Sequence, residues 1–250
     1  MTWLDRPTGG FEVFFNRDER RTRLPAIPPA ERTAGDTRFL APLDGDFGGT
    51  WLQANEWGVV LALLNGRAAS GTSARAAEHT SRGLLVTSLA DSRSTADAAR
   101  RLHGVDLARF RPFVLVLLDA AGDRRIATCR AGTLAVDPDA DLALPVVSSS
   151  FDTEEVVRGR RLRFHELITA SGRVEHREIH LAYHADHSPT AGPRSVCMHR
   201  PDAETVSFSR IEVDPRSIRF HYTPVSPCRG IGEAPAVTLA RRFVGSDPAQ

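Results

Sequence analysis

Lysine is absent from this chain. All 32 basic side chains are arginine and they face 31 acids, leaving a net charge of +1. Such exclusive use of arginine reads first as compositional bias and only second as a preference for bidentate contacts to carboxylate or phosphate. The near-zero balance excludes a field that would draw nucleic acid or an anionic membrane surface. Cysteine is scarce as well: Cys129, Cys197 and Cys228 are odd in number and form no C-x-x-C pair. That argues against a disulfide framework or a structural zinc knuckle, and makes each thiol a small buried hydrophobe. The opening residues carry no basic region followed by an apolar one, so a reducing, cytoplasmic setting is expected. No apolar run approaches the roughly 18 residues of a membrane helix, so membrane insertion is not expected. Nucleophile-elbow, Walker-loop and dinucleotide fingerprints are missing, which removes the commonest motif-bearing enzymes.

What is present is the composition of an ordinary globular protein, 41% hydrophobic and 25% charged over 250 residues. The expectation is one domain spanning residues 1–250. Met1 to Leu4 and Phe11 to Phe15 flank Pro7-Thr8-Gly9-Gly10 and read as an opening hairpin. The second of these runs ends abruptly at Asn16-Arg17-Asp18-Glu19, the pattern of a core strand surfacing at a polar place. Arg20 to Thr37, with Pro25, Pro28 and Pro29, reads as an irregular wrapping segment. Strands are expected at Phe39 to Leu43, Thr50 to Ala54 and Val59 to Leu64, the last apolar enough to be central. Arg67 to Thr80 reads as a loop, followed by helices over Arg82 to Ala90, with Ser81 as cap, and Thr95 to His103, closed by Gly104. Pro112 to Asp119 is the strongest buried-strand signal, with Arg124 to Arg130 as its hairpin partner and Leu134 to Val136 as a further short strand. A helix is expected from Thr153 to about Thr169, entered through Ser148-Ser149-Ser150 and carrying an apolar stripe of Val156, Val157, Leu162, Phe164 and Leu167. Strands at Ser195 to His199, Thr205 to Val213 and Ser217 to Tyr222, and an apolar stretch from Val237 to Val244, close the chain. Strands, helices and strands again predict an α+β class: antiparallel sheet with helices packed outside.

Three polar constellations carry possible chemistry. His176, His180, His184 and His187, with Glu175, Glu178 and Asp186, are metal-ligand types at helical spacing. In His176-Arg177-Glu178-Ile179-His180, however, the glutamate sits one position late for the metalloprotease pattern, so a surface histidine cluster and no metal is the expectation. The arginine run from Arg158 to Arg163 reads as a solvated face. The Arg17-Asp18 corner has two readings: a bidentate salt bridge at a strand end, or part of a site completed by Asn65, whose amide N–H suits an oxyanion, and by Gly48-Gly49, which permits close backbone approach.

Asn16-Arg17-Asp18-Glu19, Gly48-Gly49-Thr50-Trp51-Leu52, Asn55-Glu56-Trp57-Gly58, Ser81-Arg82-Gly83-Leu84-Leu85 and Ser195-Val196-Cys197-Met198-His199-Arg200 resemble, in order and over nearly the whole chain, the NRDE or transport and Golgi organisation protein 2 family. That family is similar to the N-terminal-nucleophile hydrolases, in particular the choloylglycine hydrolase and penicillin acylase group. The resemblance implies a four-layer αββα sandwich, antiparallel sheets with helices on the outer faces. It implies supporting catalytic roles for Arg17 and Asp18, an oxyanion role for Asn65, and a substrate-binding or ligand-binding surface from Asn16, Glu19, Gly49, Thr50, Trp51 and Arg82. Members of the group use an N-terminal Cys freed by Met removal, with its own amine as base. NRDE proteins commonly open Met-Cys-Thr, a hydrophobe, then Thr-Trp. This chain opens Met1-Thr2-Trp3, so a short Met-Cys-Thr leader before Met1 is expected, with Met1 in the hydrophobe position. Thr2 beside a terminal amine is a second pairing, offset from the family Cys.

Two functions follow from the resemblance: an amide or thioester hydrolase, or a noncatalytic haem or acyl-CoA binding and trafficking protein using the same pocket. The expected partner is a small molecule, with no required cofactor.

Overall fold

A computed structural model describes residues 1–66, 79–138, 144–149, 153–170, 176–231 and 235–243. The expected loop from Arg67 falls almost wholly outside these residues, as do Ser150 and Glu175.

The opening hairpin forms as expected, from β1 (Thr2–Asp5) and β2 (Phe11–Arg20). β2 runs past the expected end. Asn16 to Arg20 stay extended because β10 (Ala203–Val213) pairs along the full length of β2, with one bulge between Thr205 and Ser207. β11 (Ser217–Thr223) and β12 (Val237–Ala240) complete a five-stranded antiparallel sheet in the order β1-β2-β10-β11-β12. The second sheet has seven strands in chain order: β3 (Ile27–Ala34), β4 (Thr37–Leu43), β5 (Leu52–Asn55), β6 (Val60–Asn65), β7 (Phe113–Leu118), β8 (Arg124–Arg130) and β9 (Thr133–Pro138). β6 is central, as its apolar run predicts. β3 corrects the expectation of irregular chain: Pro28 and Pro29 are tolerated because the strand lies at the sheet's edge and shifts register between Ile27 and Ala30.

The alternation of β2 sorts its residues onto two faces. Phe11, Val13 and Phe15 join Met1 and Trp3 against Leu52, Ala62 and Val116, forming the core between the sheets. Glu12, Phe14, Asn16 and Asp18 face the other way. Helices α1 (Arg82–Ser88) and α2 (Thr95–His103) cover the outer face of the seven-stranded sheet, burying Leu85, Leu89, Ala98 and Leu102 on Leu61, Leu115 and Leu117. Ser94 caps α2 by accepting from the Asp97 N–H, whereas Ser81 makes no side-chain cap for α1. On the outer face of the five-stranded sheet lie α3 (Thr153–Ala170) and α4 (His176–Ala185), where Phe164, Tyr183 and Val196 cluster. The layers are therefore helix, sheet, sheet, helix.

Three local expectations change. Ser195 to His199 is not a strand: the Ser195 hydroxyl is 2.8 Å from Gly192 O and 2.7 Å from Cys197 O, and Cys197 N–H goes to Asp186 O, leaving a single bridge from His199 to Glu204. The histidines of α4 are not a surface cluster, because the helix lies on β1 and β2 and buries His180 and His184. In α3 the arginine run is solvated except at Arg160, which is buried, while Leu162 is exposed. Among the described residues no helix is long and apolar enough to cross a membrane.

Candidate functional site

Neighbouring residues of a strand point to opposite faces, so the Arg17-Asp18 corner serves two places at once. Arg17 is buried on the inter-sheet side. Its Nη2 donates to Asp44 Oδ2 at 2.7 Å and to Glu19 Oε2 at 3.4 Å, and its guanidinium lies 4.1 Å from the Trp51 ring centroid. Asp44 belongs to the turn before Gly48-Gly49, where its Oδ1 accepts from the N–H groups of Asp46 and Phe47, and Arg23 holds it from outside. Charge, cation–π stacking and a fixed turn thus lock the guanidinium in one position.

Gly49 and Thr50 set the distance between this turn and α1. Thr50 N–H donates to Gly83 O, and a Cβ added at Gly49 would lie 2.4 Å from the Gly83 carbonyl carbon. Arg82, on the preceding residue, donates to Pro112 O at 2.8 Å; burial and the nearby Arg111 lower its pKa, with Glu19 opposing. Asn65 ends β6 opposite Phe113, exposed, and the following Gly66 N–H goes to the same Pro112 carbonyl. Arg17, Glu19, Trp51, Gly49, Thr50, Arg82 and Asn65 therefore gather at one end of the sandwich.

Asp18 faces α3. Its Oδ1 accepts from the Thr205 hydroxyl at 2.6 Å, and Oδ2 is 4.0 Å from Arg160 Nη1. A third of the side chain, 32%, is open to solvent. The protein atoms packed around the rest raise its pKa, against the pull of Arg160 and the Thr205 hydrogen bond. Arg160 is fixed by Arg194 O and Ser195 O. Burial and then Arg160 lower the amine of Met1 to about 5, while the Asp18 charge opposes them; that amine donates to Val146 O at 3.0 Å.

Asn16, half-buried, belongs to a third group with the buried Thr2, His180 and His184. Its Nδ2 donates to His184 O and Val196 O, which turns its Oδ1 toward His184 Nδ1 at 2.9 Å. His184 Nδ1 therefore carries the proton, and Nε2, 3.1 Å from Thr2 Oγ1, accepts the threonine proton. The Thr2 oxygen in turn accepts from His180 Nδ1 at 2.7 Å. Every member has a partner, and the arrangement resembles a hydroxyl–imidazole–amide catalytic chain in its connections. Thr2 is fully buried, however, so its hydroxyl docks α4 onto β1 and meets no substrate.

The α4 histidines thus divide. His180 and His184 turn inward to Thr2, whereas His187, just past the helix, turns toward Cys197, His199 and Cys228. Sequence reading missed Arg160, Asp44 and Thr205. Arg160 had a signal, since Val156, Arg160 and Phe164 recur every four residues on the buried stripe of α3. Asp44 and Thr205 lie far from β2 in sequence and carry none.

The fold has solved relatives. Penicillin V acylase from Agrobacterium tumefaciens superposes with a TM-score of 0.52 at 16% identity, covering 89% of this chain and 83% of that one. A Caenorhabditis elegans N-acylethanolamine-hydrolyzing acid amidase ortholog gives 0.58 at 12%, covering 84% and 90%. A variant of conjugated bile acid hydrolase from Clostridium perfringens gives 0.54 at 11%, covering 97% and 96%. The fold is that of the N-terminal-nucleophile hydrolases. A search of curated proteins finds no match. Residues 1–203 match the family description Transport and Golgi organisation 2, and the chain belongs to that family.

Proposed function

We propose that the sandwich supports hydrolysis of an amide or thioester bond by the N-terminal-nucleophile route, with the nucleophile on the β1 side opposite Arg17. The register of the opening hairpin carries this reading. Thr2 pairs with Phe14 and Trp3 with Val13, so continuing the ladder brings the position two places before Met1 opposite Arg17. A period of two keeps that position on the face that Met1, Trp3 and Arg17 share. The Met-Cys-Thr opening implied by the family resemblance puts its cysteine there.

In that form Arg17 would favour the thiolate, lowering the thiol below its usual pKa of about 8.5. The thiolate attacks the carbonyl carbon, and the tetrahedral oxyanion accepts the Asn65 amide N–H. The C–N or C–S bond then breaks, and the cysteine's own ammonium, held by Asp18, protonates the leaving group. Water hydrolyses the remaining acyl-enzyme thioester to the acid and the free thiol. Glu19, Gly49, Thr50, Trp51 and Arg82 line the approach, while Asn16 holds α4 in register. The acylase, the acid amidase and the bile acid hydrolase supply the reaction class by analogy. An apolar acyl group suits the exposed Leu24, Phe47 and Leu84, all carried on or against the Gly45–Gly49 turn.

The same exposed side chains beside Arg23 and Arg82 favour a second reading, a noncatalytic acyl-CoA or haem carrier. Protein made with Met-Cys-Thr ahead of Met1 separates the two when it is incubated with an electrophilic acyl probe. The hydrolase reading expects one adduct on the new cysteine, and about tenfold slower labelling at neutral pH in the Arg17→Leu form. No adduct, together with thermal stabilisation by acyl-CoA or a haem spectral shift, selects the carrier.

A further inference from the structure

Four soft or borderline donor atoms converge at a place that the acyl site does not use. His187, Cys197, His199 and Cys228 each offer one ligand atom, and all four atoms lie within 4.8 Å of one another. We propose that this is a tetrahedral Cys2His2 site for a divalent zinc ion.

The distances among the donors are those of a coordination tetrahedron. With Zn–S about 2.3 Å and Zn–N about 2.0–2.1 Å, tetrahedral edges are roughly 3.5–3.6 Å between N and S and roughly 3.3 Å between two N atoms. His199 Nε2 lies 3.6 Å from Cys197 Sγ and 3.5 Å from Cys228 Sγ, and 3.0 Å from His187 Nε2. The two imidazoles meet edge to face, rings tilted by 73°, so their Nε2 atoms face one centre from different directions. Two thiolates and two neutral imidazoles balance the charge of one divalent ion. Soft sulfur with imidazole in tetrahedral array selects zinc over calcium or magnesium.

An independent observation comes from the outer shell. A metal-bound histidine commonly gives its second ring N–H to a carboxylate. His199 Nδ1 is 4.0 Å from Glu204 Oε2, a buried carboxylate oxygen with no hydrogen-bond partner among the described residues, while Glu204 Oε1 is held by Arg21. A small rotation of the ring that centres Nε2 on the ion would bring Nδ1–H onto that orphaned oxygen.

With four protein ligands the site has no open position, so its role is structural. It ties the segment after α4 to the 195–199 loop and to the short 3₁₀ turn Pro227–Arg229. Met198, between two ligands, donates its N–H to the Thr205 hydroxyl, which donates to Asp18. The ion would therefore hold the floor beneath Asp18. This inference stands apart from the hydrolase reading and survives its failure.

The test is metal content of the full chain, purified under reductant without a polyhistidine tag. One zinc per chain is expected, retained by Cys129→Ser and lost in Cys228→Ser. Because a cysteine variant can lose zinc by misfolding, the reduced, metal-stripped native chain is also titrated with Co(II). One equivalent should give a strong thiolate-to-cobalt charge-transfer band and a tetrahedral visible spectrum, both displaced by zinc, with a rise of several degrees in the unfolding midpoint. Reduced protein that binds neither ion, a weak octahedral cobalt spectrum, zinc surviving Cys228→Ser, or a Cys197–Cys228 disulfide as the resting state would each overturn the assignment.

Discussion

Gly49→Ala is expected to lower the stability of the chain by about 3 kcal/mol, the upper part of the range for overpacking. An added Cβ would stand 2.4 Å from the Gly83 carbonyl carbon, 2.5 Å from Leu84 N and 2.8 Å from Gly83 Cα, and all three are backbone atoms at the start of α1. No side chain is available to swing aside, so either the helix or the Asp44–Gly49 turn must move. Moving the helix stretches the Thr50 N–H to Gly83 O bond, and moving the turn disturbs Asp44 N–H to Gly49 O and withdraws Asp44 from Arg17. Urea unfolding measures the loss. Gly159→Ala in α3, where an added Cβ meets nothing within 4 Å, serves as control and should be neutral or stabilising by about 0.5–1 kcal/mol. Equal midpoints for Gly49→Ala and the native chain would mean that the helix and turn are not in contact as described.

The contrast between Gly49 and Asp44 marks where sequence reading of this chain succeeds and stops. A paired glycine before Thr50-Trp51 signals close backbone approach without naming the approaching partner, since Gly83 lies far along the chain. Element types were legible where one period dominates: alternation in Phe11 to Phe15, the unbroken apolar runs of β6 and β7, and the Gly104 stop of α2. They were illegible where tertiary context overrides local signal. Pro28 and Pro29 argue for irregular chain unless the strand is known to be an edge. Asn16 to Arg20 look like a surface corner unless β10 is known to pair there. The Ser195 to His199 stretch alternates like a strand but gives its donors to Gly192 and Asp186.

The site was legible in residue type and only partly in arrangement. That Arg17 and Asp18 belong to opposite faces follows from the pleat once the strand is known to continue. The partners that fix them, Asp44 for one and Thr205 with Arg160 for the other, come from turns, strands and helices that only folding brings together. Histidines at spacing of about four on α4 predict one shared face; His180 and His184 share it, while His176 is exposed and His187 lies past the helix. What spacing leaves open is whether that face meets water or protein, which depends on how large an apolar surface waits opposite. Here Phe14 is that surface, stacked on His180 with centroids 4.8 Å apart.

Acid should therefore unfold this protein well above the carboxylate range. His180 lies between Phe14 and Phe164, with Nδ1 on Thr2, and burial lowers its pKa from 6.5 to about 4. His184 is shifted in the same direction, also chiefly by burial, and both of its ring nitrogens are already engaged by Thr2 and Asn16. The neutral imidazole is the folded form, while the unfolded chain binds protons with a pKa near 6.5. Their stabilising contribution is thus fully present above about pH 6.5 and is lost progressively as pH falls toward 4. For His180 the shift corresponds to about 3 kcal/mol across that window. Asp18, with its pKa raised, works in the opposite sense, and the lowered carboxylate of Glu212 acts only at still lower pH. Urea midpoints taken from pH 7.5 to pH 4.5 should fall steeply in the native chain. In His180→Phe, which keeps a ring between the two phenylalanines and leaves Thr2 paired with His184, the fall should be shallower, the remainder coming from His184 and from the buried Met1 amine, which titrates in the same sense. An unchanged slope in that variant would show that His180 does not titrate on unfolding and that the acid sensitivity has another origin.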